Sequence, residues 1–325
     1  MAEDSYGTAS QPPTLEDIQQ AAKRIAPYVR RTPILAGTNL RNRGNVGDAL
    51  VLKLECLQVT GSFKPRGAMN KLLSLPEAAA ARGLITASGG NHGLGVAYAA
   101  YVAGVPATIY LPVTTLPAKI EKLKKWNART IVEGESWDDS NRIALSVAER
   151  DGLAYLHAFA DPCVIAGQGT IGLELVDDLA EIDTLVVAIG GGGLIGGIAI
   201  AVKALRPNIR IVGVEPEGAA TLYRSLEAGR VVTLDRIATQ AVTLGARATE
   251  QLNLDLLRKY VSEIVLVSDE EMRDAARWLW FELGVAAELS GSAAVAAILT
   301  GRYPYSKGER ICALVCGAGA DGITS

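Results

Sequence analysis

Histidine is scarce in this chain. Only His92 and His157 occur among 325 residues, which all but removes a histidine-rich zinc site from consideration. Cysteine is nearly as rare: Cys56, Cys163, Cys312 and Cys316 show no CxxC spacing. The opening MAEDSYGTASQPP is polar and acidic, the wrong chemistry for a secretory leader. Reduced thiols in a cytoplasmic protein are therefore expected, with residues 1–13 disordered at the N-terminus. Neither sign of charge is in excess, since 32 Lys and Arg face 35 Asp and Glu for a net charge of −3. That balance gives no reason to expect nucleic acid or a polybasic membrane contact, and leaves a small molecule as the expected partner. One uncharged stretch, LVVAIGGGGLIGGIAIAV over 185–202, has the length of a membrane span. Its four central glycines would break such a helix, at about 1 kcal/mol each. A buried strand, a glycine loop and a buried helix are expected there instead.

What the chain does have is apolar substance: 49% of its residues are hydrophobic, and its length is near the upper limit for one core, so two lobes are expected. TLEDIQQAAKRIAPYV reads as a first helix, with Thr14 as N-cap and acids in the first turn. LVLKLEC (50–56) reads as a strand, and strand-like runs then alternate with helical ones. GLITAS leads into NHGLGVAYAAYVAG, ATIYLP into PAKIEKLKKW, and RTIVEG into SWDDSNRIALSVAERDG. TLVVAI, RIVGVEP, EIVLVS and RICALVCGAG are further β-branched runs bounded by turns or helices. The alternation predicts an α/β protein of two lobes, each an open, mostly parallel twisted sheet with helices on both faces.

Four places carry candidate chemistry. In TGSFKPRGA (60–68), Pro65 suits a first helical position and puts Lys64 at or near the N-cap. A positive charge there is disfavoured by the helix dipole, which pushes the amine toward the neutral form that condenses with an aldehyde. Taken alone, Lys64 reads more readily as a solvated lysine at a helix start, since most lysines are surface residues. In SGGNHG (88–93), small residues before an alanine-rich helix let backbone amides face an anion such as a substrate carboxylate. Asn91 either caps that helix or reaches a ligand, and His92 either joins the site or packs as an imidazole. The run Gly190, Gly191, Gly192 and Gly193 puts bare amides at a helix start, which suits a phosphate. Gly191, Gly193 and Gly196 also spell GxGxxG, with Glu215 ending the next strand. A dinucleotide-binding oxidoreductase is thus a rival reading. Cys316 ends the last strand, either as a small buried hydrophobe or as a group facing a cofactor.

In this order the motifs resemble the fold-type II pyridoxal-phosphate family, in its serine/threonine dehydratase and serine racemase branch. The resemblance runs from RTPIL (31–35) to the C-terminus. It is densest at GSFKPRGA, SGGNHG, VIAGQGTIGLEL, VVAIGGGGLIGGIAIAVKAL and VGVEP. It implies a tryptophan synthase β-like architecture and a lyase that converts a small β-hydroxy amino acid of the L-threonine or L-serine type to a 2-oxo acid and ammonia. Racemisation or β-replacement is the alternative within the family. Lys64 would carry pyridoxal 5′-phosphate as a Schiff base and move protons at the substrate's α-carbon. Phe63 would pack on the ring, Asn91 would bond its phenolic oxygen, and Gly190 to Gly193 with Leu194 would hold the phosphate. Ser88, Gly89, Gly90, Asn91 and His92 would hold the substrate carboxylate, and Cys316 would face the pyridine nitrogen. A thiol there does not keep the nitrogen protonated as a carboxylate would, which favours prompt loss of the β-hydroxyl. The resemblance also implies a homodimer, a large domain of 14–70 and 159–325, and a small mobile domain of 71–158.

Three departures from the family pattern stand out. Gly89 occupies the place where racemases carry a proton-bearing serine. Several relatives bind a divalent cation after VGVEP. Glu215 and Ala219 align with two of its ligands, but Thr221 replaces the acid, which weakens a hard-cation site. IATQAVTLGARA (237–248), beside the substrate pocket in relatives, lacks their Asp-Gly, so the preferred side chain is expected to differ.

Overall fold

A computed structural model describes residues 11–42 and 50–323. Most of the segment expected to be disordered, 1–13, lies outside the described residues.

Helix α1 (Leu15–Ile25) starts where the sequence places it. The Thr14 side chain accepts from the amide of Asp17, and the Asp17 carboxylate takes the amide of Thr14. The helix stops at Ile25, short of the run to Val29 that the sequence suggests. β1 (Ile34–Ala36), β2 (Leu50–Lys53), α2 (Lys64–Leu73) and α3 (Glu77–Arg82) follow. A run of alternating elements comes next: β3 (Leu84–Ala87), α4 (Asn91–Ala103), β4 (Ala107–Leu111), α5 (Pro117–Lys124), β5 (Arg129–Val132), α6 (Trp137–Asp151) and β6 (Ala154–Tyr155). Then come α7 (Pro162–Asp178), β7 (Thr184–Ala188), α8 (Gly193–Leu205), β8 (Arg210–Pro216), α9 (Thr221–Ala228) and α10 (Gln251–Tyr260). β9 (Glu263–Val267), α11 (Asp269–Leu283), α12 (Leu289–Leu299) and β10 (Ile311–Leu314) complete the chain.

The strands make two sheets. One has six strands in the order β1-β2-β10-β7-β8-β9, parallel except for the antiparallel β1–β2 edge. The other has four parallel strands in the order β5-β4-β3-β6. Each sheet has its own apolar core. Val186, Val187, Ile211, Val212 and Ala313 lie in the first, and Leu84, Ile109, Leu111 and Val96 in the second. This is the two-lobed α/β architecture expected from the alternation of motifs. The strand β1 and the two-residue strand β6 are too short to give an alternating pattern and were not anticipated. Among the described residues no helix is long and apolar enough to cross a membrane. The uncharged stretch 185–202 divides into β7, which ends at Ala188, the glycine loop, and α8, whose N-cap is Gly192 at φ +95°.

Parallel strands of an open sheet bring the loops after their C-terminal ends to one edge. The glycine loop after β7, the SGGNHG loop after β3 and the segment after β10 all belong to this class, and the functional residues gather on them.

Candidate active site

Lys64 is the first residue of α2, with Phe63 at the N-cap and Pro65 in the first turn. Its Nζ donates to the carbonyl of Ala158 at 2.7 Å and lies 5.0 Å from the centre of the Phe63 ring. Burial pushes the amine down to about 8, so it is far closer to the neutral, nucleophilic form than a surface lysine. The sequence anticipates that direction. Burial, rather than the helix end, is its main cause.

Phe159, one residue past the Ala158 carbonyl, shapes the glycine loop. A methyl group on Gly191 would fall 2.3 Å from the Phe159 ring, and one on Gly193 would fall 2.2 Å from the Phe159 carbonyl oxygen. The side chain of Asn253 donates to the carbonyls of Gly191 (2.7 Å) and Phe159 (3.2 Å), and the Thr249 hydroxyl adds a bond of 2.9 Å to Gly191. The Gly191 carbonyl is thus tied back. Among the described residues' hydrogen bonds, none starts from the amides of Gly190, Gly191, Gly192, Gly193 or Leu194. Unpaired amides at the N-terminus of α8 make a cradle for an anion, and a phosphate fits it.

The second loop shares a neighbour with the first, since Thr243 lies 3.4 Å from a Cβ built at Gly90 and at Gly190. Gly90, not Asn91, is the N-cap of α4, and it carries no side-chain cap. Asn91 is left for another partner: its Nδ2 donates to Glu288 Oε1 at 2.7 Å. The same oxygen accepts from the Thr243 hydroxyl at 3.0 Å. His92 is buried, with Nε2 3.0 Å from the Leu156 carbonyl, and burial lowers it to about 3. The ring is therefore a packed neutral imidazole, and only the backbone of His92 faces the loop. Among the described residues' hydrogen bonds, none starts from the amides of Gly89, Asn91 or His92, while the Gly90 amide donates to the Ser88 hydroxyl at 3.3 Å. A side chain at Gly89 would point at Thr115, whose Cγ2 lies 3.1 Å from the position of a Cβ there. Thr243 comes within 3.4 Å of the corresponding position at Gly90, so the 237–248 stretch borders this loop.

Cys316 lies two residues past β10 and is buried. Its Sγ is 3.5 Å from the Ser290 carbonyl oxygen, and burial raises the thiol well above its ordinary range. It is a neutral S–H. Its chain neighbours pair with the lysine segment, through Phe63 N to Cys316 O (3.3 Å) and the Ser62–Gly317 bridge. The amine, the anion cradle and the thiol thus share one site.

This arrangement of a lysine, a phosphate cradle and an uncharged group beyond them suits an aldehyde-bearing aromatic phosphate. The family model for pyridoxal-phosphate dependent enzymes matches residues 25–317. The chain belongs to that family. Within it, the chain is 39% identical over 308 residues to L-threonine ammonia-lyase from Thermotoga maritima, covering 95% of this chain and 76% of that one. It is 37% identical over 323 residues to serine racemase from Oryza sativa, covering 98% and 93%. In three dimensions it superposes on maize serine racemase with a TM-score of 0.90, at 36% identity over 95% and 94% of the two chains. It is thus a fold-type II pyridoxal-phosphate enzyme, similar to threonine ammonia-lyases and serine racemases alike.

Glu215 bears on two sequence readings of this fold-type II enzyme. The GxGxxG pattern does not mark a dinucleotide site, because the acid it would need is already occupied. Glu215 is fully buried, and its two oxygens accept from the amides of Leu222 (2.9 Å) and Tyr223 (2.8 Å) at the start of α9. The same bonds bear on the cation. With both Glu215 oxygens capping α9 and the Thr221 hydroxyl donating to the Ala246 carbonyl at 2.5 Å, Glu215 would have to release the helix cap to take a divalent cation. Among the described residues there is no cluster of three or more His, Cys, Asp or Glu suited to a metal. Excess EDTA is therefore expected to leave the thermal unfolding midpoint unchanged. A fall reversed by magnesium or calcium would show that the helix cap gives way to a cation.

Several site residues left no local signal in the sequence. Ala158, Phe159, Thr243, Thr249, Asn253 and Glu288 reach the site only through contacts distant in the chain. Glu288 is 197 positions from Asn91.

Proposed function

We propose that this enzyme is an ammonia-lyase that converts a small β-hydroxy amino acid of the L-serine or L-threonine type to a 2-oxo acid and ammonia. The observation that carries this reading is the shared site of Lys64, the unpaired amides of 190–194 and the neutral thiol of Cys316. The similarity to the Thermotoga maritima L-threonine ammonia-lyase supports it.

In this reading Lys64 holds pyridoxal 5′-phosphate covalently, and Gly190 to Gly193 with Leu194 take its phosphate. Phe63 packs on the ring, Asn91 bonds the phenolic oxygen and Cys316 faces the ring nitrogen. When bound, the cofactor supplies the electron sink for carbon–hydrogen cleavage at the substrate's α-carbon. The backbone of Ser88, Gly89, Gly90, Asn91 and His92 receives the substrate carboxylate. The amine of Lys64 would accept the α-proton of the substrate. The β-carbon–oxygen bond would then break, and the hydroxyl would depart as water with the proton that Lys64 took from the α-carbon. The enamine that leaves the enzyme takes up water and yields the 2-oxo acid and ammonia. Elimination is favoured over racemisation because Gly89 offers no proton, and a Cβ there would press on Thr115 Cγ2 at 3.1 Å.

The same reading takes 71–158 as a small mobile domain against a large domain of 14–70 and 159–325. The separate apolar cores of the two sheets support that division. It also takes the protein as a cytoplasmic homodimer. Four free cysteines suit a reducing compartment, and Phe281 and Trp280 leave apolar surface exposed on α11.

The test is to incubate the holoenzyme with L-serine, L-threonine and a panel of bulkier or acidic β-hydroxy amino acids, following 2-oxo acid and the opposite enantiomer in one reaction. The lyase reading expects 2-oxo acid to exceed the enantiomer for at least one substrate. Enantiomer formation with no 2-oxo acid would replace it with a racemase.

A further inference from the structure

Glu288 is the N-cap residue of α12, yet its carboxylate makes no cap to that helix. The α12 amide of Leu289 lies 3.5 Å from Asp321 Oδ2 instead. The Glu288 side chain is turned into the active site, where one oxygen, Oε1, receives both Asn91 Nδ2 and the Thr243 hydroxyl. The same oxygen would be 2.3 Å from a methyl group on Gly317, the residue after Cys316, so the carboxylate lies directly against that backbone. Neither the helix cap nor the apolar core needs an acid here. A buried carboxylate is costly unless its bonds serve something.

Both donors come from segments that border the site. Asn91 starts α4 in the four-stranded lobe, and Thr243 lies in the 237–248 stretch beside the six-stranded sheet. We propose that Glu288 is a positioning residue: by taking Asn91 and Thr243 on one oxygen, it fixes which amide hydrogen of Asn91 is turned toward the cofactor and ties the 88–92 loop to the 237–248 stretch. The Asn91 amide has two N–H donors. With one committed to Glu288, the amide cannot flip, and the other is presented in a constant direction. This rests on the reading of Asn91 as the partner of the cofactor's phenolic oxygen.

The charge of Glu288 gives this arrangement a signature. Burial pushes its carboxyl up to about 7, opposed by the bonds from Thr243 and Asn91; Asp321 raises it further and Lys119 of α5 lowers it. The neutral thiol of Cys316 is the other titratable neighbour. Below neutral pH the group carries its proton, and above it the carboxylate is charged. Oε1 accepts in both forms, but it pulls harder on Asn91 when charged.

The experiment compares Glu288→Gln, Glu288→Ala and Thr243→Val with the wild type, all as holoenzymes, by visible absorbance of the bound cofactor from about pH 5.5 to about pH 9, which brackets the group's neutral-pH titration, and by steady-state kinetics. Glutamine retains an acceptor oxygen for both donors. Glu288→Ala is expected to shift the cofactor's absorbance and to lower kcat by about 10- to 100-fold with a smaller change in KM. Glu288→Gln is expected to keep most of the activity while losing the absorbance step near neutral pH that the wild type shows. Thr243→Val is expected to fall between them. An unchanged spectrum and kcat in Glu288→Ala would overturn the proposal. So would a Glu288→Gln as impaired as Glu288→Ala, an absorbance step that persists in Glu288→Gln, or no step in either protein. Should Glu288→Ala fail to fold, the Glu288→Gln spectrum and Thr243→Val kinetics still decide. A wild type that holds no cofactor at Lys64 would instead sink the reading on which the proposal rests.

Discussion

Replacing Lys64 by alanine is expected to lower 2-oxo acid release at least about 10³-fold, the scale on which removal of a covalent catalytic group acts. The variant should still fold. Its methyl group leaves the Ala158 carbonyl without its 2.7 Å donor, a loss of about 1 kcal/mol. It should also still take up cofactor, because the amides of 190–194 do not depend on the lysine side chain. The expected protein therefore binds pyridoxal phosphate reversibly, loses it on dialysis and turns over no substrate. Added small amines should restore a fraction of the rate, since the missing element is a base and nucleophile rather than a shape. A variant that kept a tenth of the wild-type rate would move the chemistry to another residue.

The second large effect is on stability. Arg66 is two residues past Lys64 on α2 and is buried together with the acid it pairs with. Its guanidinium donates to Glu55 at 2.7 and 2.9 Å and to Glu174 at 2.7 Å. Glu174 in turn accepts from the buried Lys53 at 2.7 Å, and Glu55 accepts from Thr32 at 2.5 Å. This network fixes the helix that starts with Lys64 against β2 and α7. Arg66→Met would leave Glu55 charged, fully buried and held by a hydroxyl alone. The expected cost is about 3–5 kcal/mol, read as a fall in the urea midpoint at unchanged slope. Adding Glu55→Met should recover most of it, because two apolar side chains leave no uncompensated charge. A loss of less than about 1 kcal/mol in the single variant would mean that water reaches Glu55.

What could be read in the sequence were features that a few adjacent residues determine. The Pro after Lys64 marks a helix start, four glycines between a β-branched run and a helix mark an anion cradle, and Thr14 with Asp17 marks a cap. Each is visible in one short window, and the helix start at Lys64 and the cap at Thr14 hold in the structure. The rest depends on residues that meet across the fold. Glu288 reads as one more acid before a helix, and Lys53, Glu55 and Arg66 read as ordinary charges until their burial together is seen. The glycines of 190–193 were assigned to an anion, but Gly191 and Gly193 are required just as strictly by Phe159, which no local pattern links to them. Glu215 shows the opposite error. Its spacing from the glycines imitates a ribose-binding acid, while its partners, the amides of Leu222 and Tyr223, are supplied by a helix start that spacing does not reveal.

The most direct test is to reduce the holoenzyme with borohydride, digest it and locate the cofactor's mass by peptide mapping. The account predicts a single modified site, Lys64, in the peptide containing Ser62, Phe63 and Pro65. Modification at another lysine, or none in a protein that is yellow before reduction, would contradict it.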